Sequence, residues 1–158
     1  MPIYGQPTIE VQDISVDQLA ELYSTRTAGQ DFVVVDVRRS DMTDMIPGAI
    51  NLPAHSLFLT LPSLLPSLNH VRKFIFHCNS SKGRGLRAAG WFAEPLNEYL
   101  NTDEGSRGCV YVLTGGIKAW KEKFGSCSLE YRDKRWDGKS LSTIELRMYI
   151  KSTILIHT

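Results

Sequence analysis

The chain has too few cysteines, too widely spaced, to be held together by them. Cys78, Cys109 and Cys127 are an odd number with no close pair, which excludes a disulfide framework and a zinc site built on C-x-x-C spacings. Long hydrophobic runs are also missing. The most apolar stretch, Ser56–Leu68, is broken by Pro62 and Pro66 and is too short to span a bilayer. "MPIYGQPTIE" lacks the basic start and apolar stretch of a secretory signal. These absences predict an intracellular, reduced protein, cytoplasmic or nuclear, with no membrane partner, no metal and no resident cofactor. A third absence is local. From Met45 to Ala93 there is not one Asp or Glu, while Arg72, Lys73, Lys82, Arg84 and Arg87 all fall there. The net charge of +1 predicts no nucleic-acid partner. A basic segment inside a near-neutral chain instead builds a local field for small anions, or else a solvated basic face.

What is present reads as one domain, since 158 residues suffice to bury a single core. Ser15 before "VDQLAELY", with Gln18 three positions on, has the form of a capping box and predicts a helix from about Val16. "DFVVVDV" (Asp31–Val37), "RKFIFHC" (Arg72–Cys78) and "CVYVL" (Cys109–Leu113) are short buried-strand runs, and Ile46–Pro53 turns into a further extended piece. Between them, "GRGLRAAGWFAEPLNEYL" from Gly83 carries a helical stripe at Leu86, Ala89, Ala93, Leu96 and Leu100. Pro95 is expected to kink or break that helix near Glu94. "GIKAWKEKF" (Gly116–Phe124) predicts a short closing helix. Apolar runs alternating with helices mean an α/β fold with a mostly parallel sheet covered on both faces. Ligands then sit beyond the C-terminal strand ends, where Cys78 falls.

The loop after that strand carries the chemistry. In "HCNSSKGRG" the spacing is C-(x)5-R, from Cys78 to Arg84. The amides of Asn79, Ser80, Ser81, Lys82, Gly83 and Arg84 can curl around a tetrahedral oxyanion, with the next helix aiming its positive end at the same point. Both effects favour a thiolate at Cys78 over a thiol. Arg84 adds a planar fork able to grip two anion oxygens, and Ser81 a hydroxyl for the thiolate or the leaving atom. The bare spacing is weak, and Cys127 with Arg132 makes a C-(x)4-R decoy. Strand end, glycine-bearing loop, helix start and acid-free surroundings strengthen it for Cys78 alone. Cys109 reads as core packing, and His77 as a hydrogen-bonded structural histidine rather than a general base.

"VVVDVRRSDMTDMIPGAINLPA" (Val33–Ala54), "HCNSSKGRG" and "VYVLTGGIKAW" (Val110–Trp120), in that order, resemble the signatures of the rhodanese fold. The middle motif is similar to the H-C-(x)5-R loop of its phosphatase branch, the cell-division-cycle dual-specificity phosphatases and the related eukaryotic arsenate reductases. The resemblance implies a rhodanese-like catalytic domain over residues 14–124, after a lead-in of residues 1–13 and before an extension of residues 125–158. It implies Cys78 as nucleophile, Arg84 as oxyanion clamp and Asn79–Arg84 as anion cradle. Sulfurtransferases of the fold use a loop one residue shorter, so this length implies phosphate or arsenate. Met45 stands where the family has a histidine, Leu86 where it often has proline, and the loop holds no carboxylate, as in the arsenate reductases. Asp36, in the D-x-R strand signature, reads as structural.

The expectation is a cysteine-dependent phosphatase of protein-tyrosine or dual-specificity type, acting on a phosphorylated protein or a small oxyanion through a cysteinyl-phosphate. The alternatives are a glutathione- and glutaredoxin-dependent arsenate reductase, and a non-catalytic rhodanese scaffold.

Overall fold

Successive side chains of the central strands point to opposite faces of one sheet, and both faces are buried: Phe32–Asp36 is buried at all five positions. The computed structural model describes residues 11–39, 42, 44–68, 70–100 and 110–125. Strands β1 (Gln12–Ile14), β2 (Phe32–Asp36), β3 (Ile50–Asn51), β4 (Lys73–His77) and β5 (Val110–Leu113) form one sheet in the order β1-β5-β4-β2-β3. Every pairing is parallel, so the sheet expected to be mostly parallel is wholly so among the described strands. Val33, Val35, Phe74, Phe76, Val110 and Val112 face one side. Helices α2 (Leu57–Leu68) and α3 (Arg84–Leu100) cover it through Leu57, Leu65, Ala88, Ala89 and Phe92. Phe32, Val34, Ile75 and Leu113 face the other side. There α1 (Val16–Thr25) and α4 (Gly116–Phe124) bury Leu19, Ala20, Tyr23, Ile117, Trp120 and Phe124. A Lys123–Asp17 ion pair ties α4 to α1 at the surface.

Local sequence explains where α1 begins. Ser15 Oγ accepts the Gln18 N–H at 3.1 Å and Gln18 Oε1 accepts the Ser15 N–H at 2.9 Å, so both halves of the capping box form. α4 spans the residues its periodicity predicts, and β2, β4 and β5 fall inside their predicted runs.

The prolines behave differently from expectation. The helix expected to kink or break near Glu94 is not broken but continues through Pro95 to Leu100, and Leu57–Leu68, where the prolines interrupt the apolar run and no helix was expected, is a helix through Pro62 and Pro66. An interior proline costs about 3 kcal/mol of helix stability. Each large side chain fully removed from water returns roughly 1.5–3 kcal/mol. In α3 that side chain is Phe92, 4.9 Å from Phe74 and 5.1 Å from Phe76 between ring centres, flanked by buried Ala88, Ala89 and Ala93. In α2 it is Leu57 and Leu65. Tertiary burial outweighs the local penalty. The same face corrects the predicted stripe: Leu86 is 47% exposed, because Gly85, Ala88 and Ala89 are what α3 turns toward the sheet. Strand β1 was not expected. Its three residues show no apolar alternation, and pairing to Tyr111–Leu113 of β5 makes the strand.

Replacing the cap, Ser15→Ala, is expected to lower the unfolding free energy by about 1 kcal/mol without altering the loop after β4. Urea denaturation followed by circular dichroism checks this.

Candidate functional site

β4 ends at His77, α3 begins at Arg84, and the residues between them make the turn at the C-terminal edge of the sheet. Cys78, the first residue past the strand, is 4% exposed. It and Ser81 bond each other reciprocally. The Ser81 N–H donates to Cys78 Sγ at 3.2 Å, and the Cys78 N–H donates to Ser81 Oγ at 3.4 Å. The serine expected to serve the sulfur through its hydroxyl serves it through its amide. That geometry holds Ser81 at φ 59°, in the left-handed region that a non-glycine residue occupies at a cost. Asn79 and Lys82 are exposed, Ser80, Gly83 and Arg84 half-buried. The structure therefore brings Cys78 and Ser81 into contact and sets Arg84 at the start of α3, with the other predicted residues strung between.

The start of α4 anchors this loop. The Ile117 N–H donates to the Cys78 carbonyl at 3.2 Å and the Lys118 N–H to the Asn79 carbonyl at 3.0 Å. In a trans peptide the N–H points opposite to the C=O, so the amides of Asn79 and Ser80 are turned away from α4. Two glycines permit the approach. A Cβ at Gly116, whose φ is +61°, would lie 2.6 Å from the Cys78 carbonyl oxygen and also collide with that of Asn79. A Cβ at Gly85 would lie 3.0 Å from the Cys78 nitrogen, so the first turn of α3 rests on the main chain of Cys78. Gly116–Lys118 is a part of the site that residue-by-residue reading did not assign. Its signal in the sequence was the paired glycine opening a helix after a strand.

Beneath the loop lies a layer of buried charge. Arg38 grips Asp36 through Nε (3.0 Å) and Nη2 (2.7 Å), and Asp36 has no exposed surface. Arg38 Nη2 also donates to the Asp44 carbonyl at 2.6 Å, while the Asp44 carboxylate meets Lys121 Nζ of α4 at 3.1 Å. Asn51 donates to the carbonyls of Asp36 and Arg38, both at 2.9 Å. Asp36 is thus the structural residue expected. His77 sits beside it in register, fully buried. Its Nδ1 lies 3.0 Å from the Cys78 carbonyl oxygen, which can only accept, so Nδ1 carries a proton. Burial pushes its pKa below the ordinary 6.5, against the opposing pull of Asp36. The Cys78 carbonyl accepts from both His77 and Ile117, which fills its two lone pairs.

Among the described residues no group of His, Cys, Asp or Glu is placed to hold a metal ion, and no helix is long and apolar enough to cross a membrane. Two grooves of about 460 and 250 Å³, both lined by Leu22, Arg26 and Lys73, share no residue with the loop. Cys109, Cys127 and Arg132 lie outside the described residues.

Comparison with known proteins agrees with this geometry. The profile of the Rhodanese-like domain matches residues 15–123. Dual specificity phosphatase ibp1 of Schizosaccharomyces pombe is 28% identical over 105 residues, covering 58% of this chain and 76% of that protein. Arsenical-resistance protein 2 of Saccharomyces cerevisiae is 35% identical over 102 residues, covering 58% of this chain and 75% of that protein. The structure of an As–Sb reductase from Leishmania major superposes with a TM-score of 0.59 at 26% identity, over 80% of this chain and 82% of that one.

Gly116→Ala is expected to displace the Cys78 and Asn79 carbonyls and weaken vanadate or sulfate binding at least tenfold, measured by titration calorimetry, while the far-ultraviolet dichroism keeps its shape. His77 carries its own pH signature. Its folded pKa lies below its unfolded value, so its stabilising contribution is whole above pH 6.5 and declines as pH falls below it. Unfolding free energy should therefore drop between pH 7 and 5 more steeply in the wild type than in His77→Asn.

Proposed function

This chain belongs to the rhodanese-like domain family, and on that footing we propose that Cys78 attacks a tetrahedral oxyanion, with hydrolysis of a phosphate monoester as its reaction. One observation carries the reading: a buried cysteine at a strand end takes an amide hydrogen bond on its sulfur inside a loop whose carbonyls are turned outward by α4. Backbone amides so turned present positive charge to an anion. The phosphatase relative supports the choice of phosphate.

In the proposed cycle, Cys78 Sγ forms a bond to phosphorus as the bond to the leaving oxygen breaks, and that oxygen departs with the electron pair. The amides of Asn79–Arg84 and the Arg84 guanidinium hold the three remaining phosphoryl oxygens, whose charge is greatest at the transition state. Water then attacks the cysteinyl-phosphate, releasing phosphate and restoring the thiolate. No electrons are consumed. The carboxylates packed beneath the loop are already engaged, Asp36 by Arg38 and Asp44 by Lys121. The substrate that suits such a site is an aryl ester of the phosphotyrosine kind, because a phenolate leaves with little help from an acid.

Arsenate reduction is the second reading, supported by the likeness to the As–Sb reductase and by the acid-free loop Asn79–Gly83. It differs in its electron balance. Each arsenate needs two electrons, so Cys78 would attack arsenic and external thiol, glutathione with glutaredoxin, would supply the reducing equivalents.

Side-by-side assays separate these. We expect slow hydrolysis of para-nitrophenyl phosphate, faster at mildly acidic pH where the substrate carries its own proton, and unchanged by glutathione once the protein is reduced. Cys78→Ser should lower the rate at least about a thousandfold, and Arg84→Lys about a hundredfold, since an ammonium keeps the charge but loses the fork. NADPH oxidation coupled to arsenate through glutathione, with the phosphate ester untouched, would establish the reductase instead. Thiosulfate-to-cyanide transfer as the fastest reaction would overturn both.

A further inference from the structure

Three cations stand on the elements that adjoin the loop, and Arg87 among them is half-buried. Lys82 stands exposed in the loop, Arg87 in the first turn of α3 and exposed Lys118 in the first turn of α4. Neither helix has an acid in its first turn, and no carboxylate occurs between Met45 and Ala93. The buried pairs nearby, Asp36 with Arg38 and Asp44 with Lys121, cancel internally and offset none of this charge. The nearest acid along α4 is exposed Glu122, four residues after Lys118. With lysine on the N-terminal side, that is the weaker order for an ion pair across one helical turn.

Lys118 is held against the carbonyl side of this loop by its main chain. Its N–H is bonded to the carbonyl of Asn79, the residue after Cys78, at 3.0 Å. Its Cα is therefore within about 5 Å of that oxygen, and an extended lysine reaches roughly 6 Å further. Its ammonium can thus patrol the rim of the cradle while its backbone stays fixed. A cradle built for one anion does not use that charge. We propose that Lys118, assisted by Lys82, forms a second anion subsite, and that the substrate is a phosphotyrosine peptide with an acidic side chain next to the phosphorylated residue. The proposal rests on Cys78 being the attacking atom. Lys118 is a specificity residue in it, acting on the peptide and not on the reacting bond.

The experiment compares two phosphotyrosine peptides that differ only in having glutamate or glutamine beside the phosphotyrosine. At low ionic strength the wild type should prefer the acidic peptide in kcat/KM by about two- to fivefold, the range expected of exposed charge pairs. The preference should shrink in high salt. Lys118→Glu should abolish or invert it through KM, and Lys118→Arg should restore it. Equal kcat/KM for both peptides in the wild type, or a preference that survives Lys118→Glu, would overturn the subsite. If the wild type hydrolyses neither peptide, the phosphatase reading fails. The subsite is then judged by binding of the same two peptides to Cys78→Ser and to Cys78→Ser carrying Lys118→Glu. Tighter binding of the acidic peptide that disappears in the double variant supports it, and equal affinities reject it.

Discussion

Two hydrogen bonds from the first turn of α4, onto the carbonyls of Cys78 and Asn79, set the orientation on which the site depends. A loop of six residues between a strand and a helix has many conformations, and most of them scatter its amides. Fixing the first two carbonyls outward leaves the next amides facing the other way, because the peptide is planar and trans. Gly116 is what lets the helix come that close, and the parallel pairing of β4 with β5 brings α4 over the end of β4. The loop's backbone orientation, on which the proposed anion cradle rests, is therefore a product of two sequence-distant segments. Neither makes it alone.

The buried charge below the loop fits the same logic. Arg38 ties β2 to the Asp44 segment, and Asp44 ties that segment to α4 through Lys121. A buried ion pair is seldom worth much net stability, because desolvation opposes the attraction, but losing one partner strands the other at a cost of about 3–5 kcal/mol. Such a network specifies position. Here it locks three elements together at the end of the sheet where Cys78 sits. It also engages Asp36 and Asp44, carboxylates packed beneath the loop among the described residues, which is why the proposed chemistry relies on a good leaving group rather than on an acid.

His77 shows how one residue serves both layers. Its backbone belongs to β4, its carbonyl accepts from Val37, and its ring is buried beside Asp36 and bonded to the Cys78 carbonyl. A general base must exchange protons with substrate or water, and a ring with no exposed surface and its Nδ1 proton committed to a carbonyl is not arranged for that. Its ring holds the main chain of Cys78. Lys82 and Lys118, both exposed, have the opposite character and face solvent.

Strand runs with β-branched and aromatic residues, the capping box at Ser15 and Gln18, and the C-(x)5-R spacing after β4 were legible in the sequence because each depends on residues within one turn or one strand. Three ordered motifs named the fold for the same reason. The helices through Pro62, Pro66 and Pro95 and the edge strand Gln12–Ile14 were not legible, since local propensity argues against them and only burial or pairing to a distant partner makes them form. The positive-φ amide of Ser81, the outward carbonyls of Cys78 and Asn79 and the Lys121–Asp44 tie likewise depend on contacts between segments remote in the chain. Sequence alone determined which residues could do the chemistry. Tertiary structure decided which way their backbone points, because a peptide's orientation is set by what accepts and donates across space.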